Sequence, residues 1–242
     1  MLTHAKEAGV EKIICIGTSH EDSLAAAEFA AAHDNVYWTY GIHPEGATDK
    51  SQLGGFRSAA ARDLAPAAHG DGPAGRDPER DLLVAIGEVG LDYHYEGYSR
   101  EAQIRLFEEM LQLATDNDLP VSFHVREAYA DFFPVVENFP KVRGVVHSFT
   151  DNKKVLKRIL NETNYFIGVN GLATYSTLPT PPLERILLET DAPFLTPEPF
   201  RGIINEPAYV REVAHWLASK LGLEYKIIEK ETTNNARKLF RI

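Results

Sequence analysis

Five residues have the types and positions to do chemistry together: His43, Glu88, His124, His147 and Asp191. Each stands at or just beyond the end of a short apolar run that reads as a β-strand. Arg126 follows His124 by two residues. Taken singly, a histidine near a strand end is more often a core or surface residue, and a glutamate there more often a solvated one. Repetition over separate strands reverses that weighting. Two imidazoles (His124, His147) and two carboxylates (Glu88, Asp191) brought to one edge of a sheet are a donor set for a divalent metal ion. His4, His20, His33, His69, His94 and His215 fall in helices or loops and receive no role.

The elements that must position these residues centre on Val84-Ala-Ile-Gly-Glu-Val-Gly-Leu-Asp-Tyr93. Val84 to Ile86 predicts the buried opening of a strand that runs over Val84–Val89. Glu88 and Asp92 are expected in a turn after that opening, loosened by Gly87 and Gly90. An apolar run that ends in an acid is how a barrel or open sheet presents a catalytic group at its carboxyl edge. The pattern repeats along the chain. Strands are predicted at Ile13–Ile16, Val36–Ile42, Pro120–Val125, Val142–Val146, Tyr165–Val169 and Ile186–Leu188. Helices are predicted at Met1–Ala8, Ser23–His33, Ser51–Leu64, Ala128–Asn138, Lys153–Leu160 (capped by Asp151) and Glu229–Phe240. Another follows the cap residue Ser99, and one more follows Asn205. Pro179, Pro181 and Pro182 forbid a regular helix between the last two strands. Residues 65–80, rich in Gly and Pro, predict a flexible insertion.

Strands alternating with helices, and apolar enough to be buried on both faces, predict a parallel sheet. The expected class is α/β, a TIM-type (β/α)8 barrel forming one domain over residues 1–242. About seven strands are visible where a closed barrel has eight, so the first strand is expected to be missing before Met1. That gap would leave Ile13–Ile16 and Ile186–Leu188 as unpaired edges.

Composition sets outer limits. The 242 residues are 44% hydrophobic and 25% charged, with a formal net charge of −10. That charge argues against a broad electrostatic grip on nucleic acid, but not against a local site where metal ions supply positive charge. The single cysteine, Cys15, excludes an intrachain disulfide and fits a reducing, cytoplasmic compartment. No apolar run approaches the roughly 20 residues of a membrane helix, so no membrane partner is expected. No protein partner can be inferred.

At its strand ends the sequence resembles the TatD family of metal-dependent deoxyribonucleases. The motifs are Gly-Ile-His-Pro (41–44), Ile-Gly-Glu-Val-Gly-Leu-Asp-Tyr (86–93), Leu-Pro-Val-Ser-Phe-His-Val-Arg (119–126), Gly-Val-Val-His-Ser-Phe (144–149), Leu-Leu-Glu-Thr-Asp-Ala-Pro-Phe-Leu (187–195) and Arg-Gly-Ile-Ile-Asn-Glu-Pro (201–207). They occur in family order over nearly the whole chain. The resemblance implies up to two divalent metal ions (Mg, Mn or Zn) and a nucleic acid substrate, with single-stranded DNA ends cleaved by a metal-activated water. Glu88 would bridge the metals, and His124 and His147 would bind the second. Asp191 would bind the first and orient or deprotonate the water. Arg126 would meet the scissile phosphate, while Asp92 and His43 would hold ligands or substrate. Arg201 and Asn205 fall in the last motif: Arg201 is a candidate substrate or carboxylate contact, and Asn205 is explained as a helix cap. The family opens with an Asp-x-His-x-His segment that is not present here, so one bound metal and impaired catalysis are expected of this chain. A related barrel hydrolase acting on a small ester or amide, and a truncated, catalytically dead chain, are the competing readings.

Overall fold

The computed structural model describes residues 1–60 and 82–242. The insertion expected at 65–80 lies outside the described residues, as does the end of the helix expected to reach Leu64. The chain divides into two compact units, Ile14–Gly144 and Met1–Ile13 with Val145–Ile242.

In the unit Ile14–Gly144 the strands run in the order β1 (Ile13–Cys15), β2 (Val36–Tyr40), β3 (Leu83–Asp92), β4 (Val121–Arg126). β2 pairs with β3 and β3 with β4, both in parallel. The connections are α2 (His20–Ala31), α3 (Lys50–Ala60) and α4 (Arg100–Asp116), with α5 (Tyr129–Glu137) after β4; α1 (Leu2–Glu7) precedes β1 and belongs to the other unit. Ser99 starts α4 as expected, its side chain accepting from the Ala102 N–H. The buried face of α4 includes Leu106, Phe107, Met110 and Leu111, at helical spacing. Phe107 meets Phe123 of β4 edge to face at 6.0 Å and stacks on Phe132 of α5.

The other unit contains α1 (Leu2–Glu7) and then β5 (Gly144–Val146), α6 (Lys153–Glu162), β6 (Phe166–Val169), β7 (Ile186–Leu188), α7 (Val210–Leu221) and α8 (Tyr225–Phe240). β5 pairs with β6 and β6 with β7, again in parallel. The proline-rich connection from β6 to β7 carries only two short 3-10 turns, Gly171–Thr174 and Leu183–Arg185, as the prolines require. Val169, Ile186, Val213, Leu217 and Ile228 form one buried cluster. Asn235 of α8 ties the helix to the sheet, donating to the carbonyls of Leu183 and Ile186.

Two local expectations are corrected. β3 does not stop at Val89: it continues through Asp92, so Glu88 and Asp92 both stand on the strand and not in a turn. Gly87 and Gly90 are tolerated inside it because the close neighbours there leave no room for a side chain. The cap of α6 is Asn152, whose Oδ1 accepts from the Lys154 and Val155 N–H groups; Asp151 accepts from Asn152 instead.

Candidate metal centre

Phe123 faces the helices, so strand alternation sends His124 to the opposite face of β4. His124 stands opposite Gly90 of β3. At Gly90, φ is +149° and a Cβ would lie 2.0 Å from the His124 carbonyl oxygen, so only glycine lets the two strands close at this level. Asp92, two residues further on, shares that face; its Oδ2 is 2.8 Å from His124 Nε2. Glu88 reaches the other nitrogen, with Oε1 2.7 Å from His124 Nδ1. It does so across a bulge, because Ile86 pairs with Val121 but Val89 with Phe123. The bulge is pinned from β2 and from the segment that follows β1. The Glu88 N–H donates to the Gly17 carbonyl at 2.7 Å, and the Thr39 hydroxyl donates to the Gly87 carbonyl.

His43 joins this cluster from the turn after β2. Its N–H donates to the Thr18 carbonyl, and its Nδ1 accepts from the Glu45 N–H at 3.4 Å. That leaves Nε2 3.9 Å from Glu88 Oε1 and sets the ring edge-on to His124, centroids 4.4 Å apart. The sequence reading gave His43 a supporting role; the structure puts it among groups able to hold an ion. One ligand atom each from His43, Glu88 and His124 lies within 4.8 Å of the others.

The electrostatics suit a cation. The side chains are largely withdrawn from water: Asp92 is 3% exposed, Glu88 12%, His124 17% and His43 20%. Burial, and then the neighbouring His124, hold His43 below the ordinary imidazole value, against the opposing pull of Glu88, Glu45 and Asp92. A neutral imidazole is the form that binds a metal. Burial works against ionisation of Asp92. The hydrogen bonds from His124 and the His94 N–H, with the charges of His124 and Arg126, outweigh it and hold the carboxyl below its ordinary value. Each nitrogen of His124 faces a carboxylate that can accept an N–H proton from it. A divalent ion taken up by Nδ1 would replace one of those protons and leave Nε2–H on Asp92, the carboxylate–histidine–metal pattern. The residues therefore fit a metal ion.

Arg126 closes β4 on the same unit, its Nη1 donating to the Tyr95 hydroxyl at 3.4 Å. His147 and Asp191 belong to the other unit. His147 directly follows β5, and its Nδ1 is 3.2 Å from Glu189 Oε1. The same oxygen accepts from the Ser148 N–H at 2.6 Å. Asp191 lies two residues beyond Glu189 with φ +60°, its carbonyl accepting from the Phe194 N–H. Asn205 is not a helix cap: it is 3% exposed and donates through Nδ2 to the carbonyls of Thr190 and Phe194, clamping the loop that carries Asp191. Arg201 lies over the Tyr175 ring, 3.8 Å from its centroid.

Sequence reasoning missed Glu189, Gln103 and Tyr95. Glu189 had a visible signal, being the first residue after β7 and an acid. Gln103 is buried on α4 and exchanges two hydrogen bonds with the backbone of Asp92, at 2.9 and 2.8 Å. A glutamine on a helix face carries no such signal.

A family model described as TatD related DNase matches residues 1–241. An uncharacterised metal-dependent hydrolase of Bacillus subtilis, YabD, is 32% identical over 253 residues, covering 100% of this chain and 92% of the relative. A 3'-5' ssDNA/RNA exonuclease TatD of Pantoea ananatis is 32% identical, covering 99% of this chain and 92% of the relative. Among solved structures, the TatD homologue YJJV of Escherichia coli matches with a TM-score of 0.82 at 29% identity, over 100% of this chain and 90% of that one. A TatD family hydrolase of Entamoeba histolytica also reaches 0.82, at 21% identity, and speaks for the fold alone. These matches bear out the α/β, TIM-type class read from the strand–helix alternation.

Proposed function

The chain belongs to the family of TatD-related DNases and is a metal-dependent hydrolase of that family; from that premise we propose that it cleaves phosphodiester bonds at the ends of single-stranded nucleic acid. The observation that carries the reading is the cluster of His43, Glu88 and His124, with Asp92 behind His124. A divalent ion bound there supplies positive charge to a phosphate oxygen and lowers the pKa of a bound water.

The chain's own residues do the rest. Glu88 offers one carboxylate to the ion and fixes the direction of His124. Asp92 keeps the His124 ring in one orientation, so that Nδ1 and not Nε2 is presented. Arg126 offers a planar fork of N–H groups to a phosphate, a geometry lysine cannot copy. Asp191 serves as the carboxylate that accepts the proton of the attacking water, and Asn205 holds its loop. Glu189 does for His147 what Asp92 does for His124. Exonucleolytic action on single strands is favoured by the likeness to the Pantoea relative, which is named a 3'-5' ssDNA/RNA exonuclease.

The test is a panel of end-labelled single-stranded DNA, RNA and small esters, assayed with Mg²⁺, Mn²⁺ and Zn²⁺. Stepwise shortening of the labelled strands, lost in His124→Ala and Asp191→Asn, is the expected result. Hydrolysis of esters with intact strands would redirect the reading to the small-ester alternative, and no hydrolysis of any substrate would sink both.

A further inference from the structure

Beside the metal cluster the same unit holds a cleft of about 210 Å³ that none of these roles uses. Pro44, Glu45 and Thr48 wall it on one side, Asp92 at the end of β3 forms another wall, and Tyr95 and Tyr98 stand on the loop that leads to α4. The cleft adjoins the cluster through two of its own residues. Asp92 lines it while bonding His124, and Glu45 lines it while its N–H holds His43.

Both tyrosines are exposed, Tyr95 by 54% and Tyr98 by 44%. Their rings are nevertheless held. Tyr98 stacks on Tyr93, centroids 4.6 Å apart and planes 7° from parallel. Tyr95 has His94 edge-on at 5.0 Å, and the Arg126 guanidinium lies 5.3 Å from its ring centroid while donating to its hydroxyl.

We propose that this cleft is a nucleobase subsite, in which the base of a terminal nucleotide lies against Tyr95 while Arg126, joined to the same tyrosine, meets the adjoining phosphate. The proposal deepens the phosphodiesterase reading and rests on it for the phosphate. Three features select a base as the occupant. The cleft is smaller than the roughly 300–1,000 Å³ of sites for drug-sized ligands, so one ring system fits where a duplex end does not. Exposed Glu45 and Glu96 line it, and their carboxylates repel a phosphate but accept hydrogen bonds from the exocyclic amine of a base. Exposed, propped aromatic rings next to a cationic group are how single-stranded nucleic acid is held without dependence on sequence. The acidic lining also explains how a chain of net charge −10 would hold a polyanion: the bases enter the acidic cleft, and only the phosphate meets the cation.

The experiment compares short single strands that differ only in the terminal nucleotide, which carries either a base or an abasic tetrahydrofuran, with strands modified at the 3' or the 5' end tested separately. Dissociation constants are measured by fluorescence anisotropy on the full chain in EDTA, where no cleavage occurs, and kcat/KM is measured with Mn²⁺. The unaltered protein should bind the base-bearing strand at one end about tenfold or more tightly than its abasic twin. In Tyr95→Ala that ratio should fall to near one, while Tyr95→Phe, which keeps the ring and loses the hydroxyl, should retain it. Circular dichroism checks that each variant is folded. An equal ratio in the unaltered protein and Tyr95→Ala, or no preference at either end, would overturn the subsite. Absence of cleavage with every metal would defeat the nuclease reading alone, because the EDTA ratios decide the base subsite by themselves.

Discussion

Replacing Asp92 by Asn tests whether the carboxylate behind His124 governs metal affinity. The substitution keeps the shape of a side chain that is 3% exposed. It also spares the two bonds between Gln103 and the Asp92 backbone, so β3 and α4 stay joined. What it removes is the negative charge at the 2.8 Å contact with His124 Nε2. Loss of a partner behind a metal-binding histidine costs about 10–100-fold in metal affinity. That is roughly 1.4–2.7 kcal/mol. Without metal, the same charge-assisted bond is worth about 1.5–3 kcal/mol of folding stability. The sign with pH follows from the lowered pKa of Asp92. A carboxyl depressed on folding contributes its full stabilisation above its unfolded value, about 3.9, and loses it as pH falls through the lower folded value. The gap in stability between the unaltered protein and Asp92→Asn should therefore be widest near neutrality and close in acid. Metal affinity would be read by competition with a chromophoric chelator, and apo stability by urea unfolding across that pH range. A variant that is folded, binds metal within about twofold of the unaltered protein, and is no less stable at neutral pH would show that Asp92 does not orient His124.

Three further outcomes are expected. Gly90→Ala forces a Cβ to 2.0 Å from the His124 carbonyl at a φ of +149°, so it should cost about 2–4 kcal/mol in urea unfolding and disrupt metal uptake with it. Asn152→Ala removes both acceptor bonds at the start of α6 and should cost about 1 kcal/mol in the same measurement, and Asp151→Ala less. Burial, with Asp22 nearby, pushes the Cys15 thiol up, so iodoacetamide at pH 7.5 should alkylate the native protein more slowly than the urea-unfolded chain, by mass spectrometry.

The alternation of strands and helices was legible because each signal is local. Apolar runs end at acids or histidines, Ser99 precedes a helical stripe, and three prolines empty one crossover of helix. What escaped depends on contacts between distant segments. Asn152 and Asp151 are both good cap residues, and only the backbone path decides which one receives the Lys154 N–H. Asn205 stands ahead of a proline, yet the helical turn starts one residue later, from Glu206; the Asn205 Oδ1 accepts from the Glu206 N–H while Nδ2 holds the carbonyls of Thr190 and Phe194. The bulge in β3 escaped as well, because it shows only in the pairing: Ile86 stands opposite Val121 and Val89 opposite Phe123, three residues of β3 against two of β4.

That extra residue explains why one strand can carry so much of the site. Upstream of it, Ile86 pairs with Val121; downstream, Val89 pairs with Phe123, and both partners belong to the helix-facing set of β4. Helix packing is thereby kept on both sides of Gly87 and Glu88, while Glu88, Gly90 and Asp92 all fall on the face of His124. Two acids four residues apart then reach opposite nitrogens of one imidazole, because the residue between them has no side chain to hold β4 away. An acid at 88 and another at 92 would be common on any exposed strand. Here the glycine between them and the bulge before them turn that spacing into two carboxylates on one ring, one at each nitrogen.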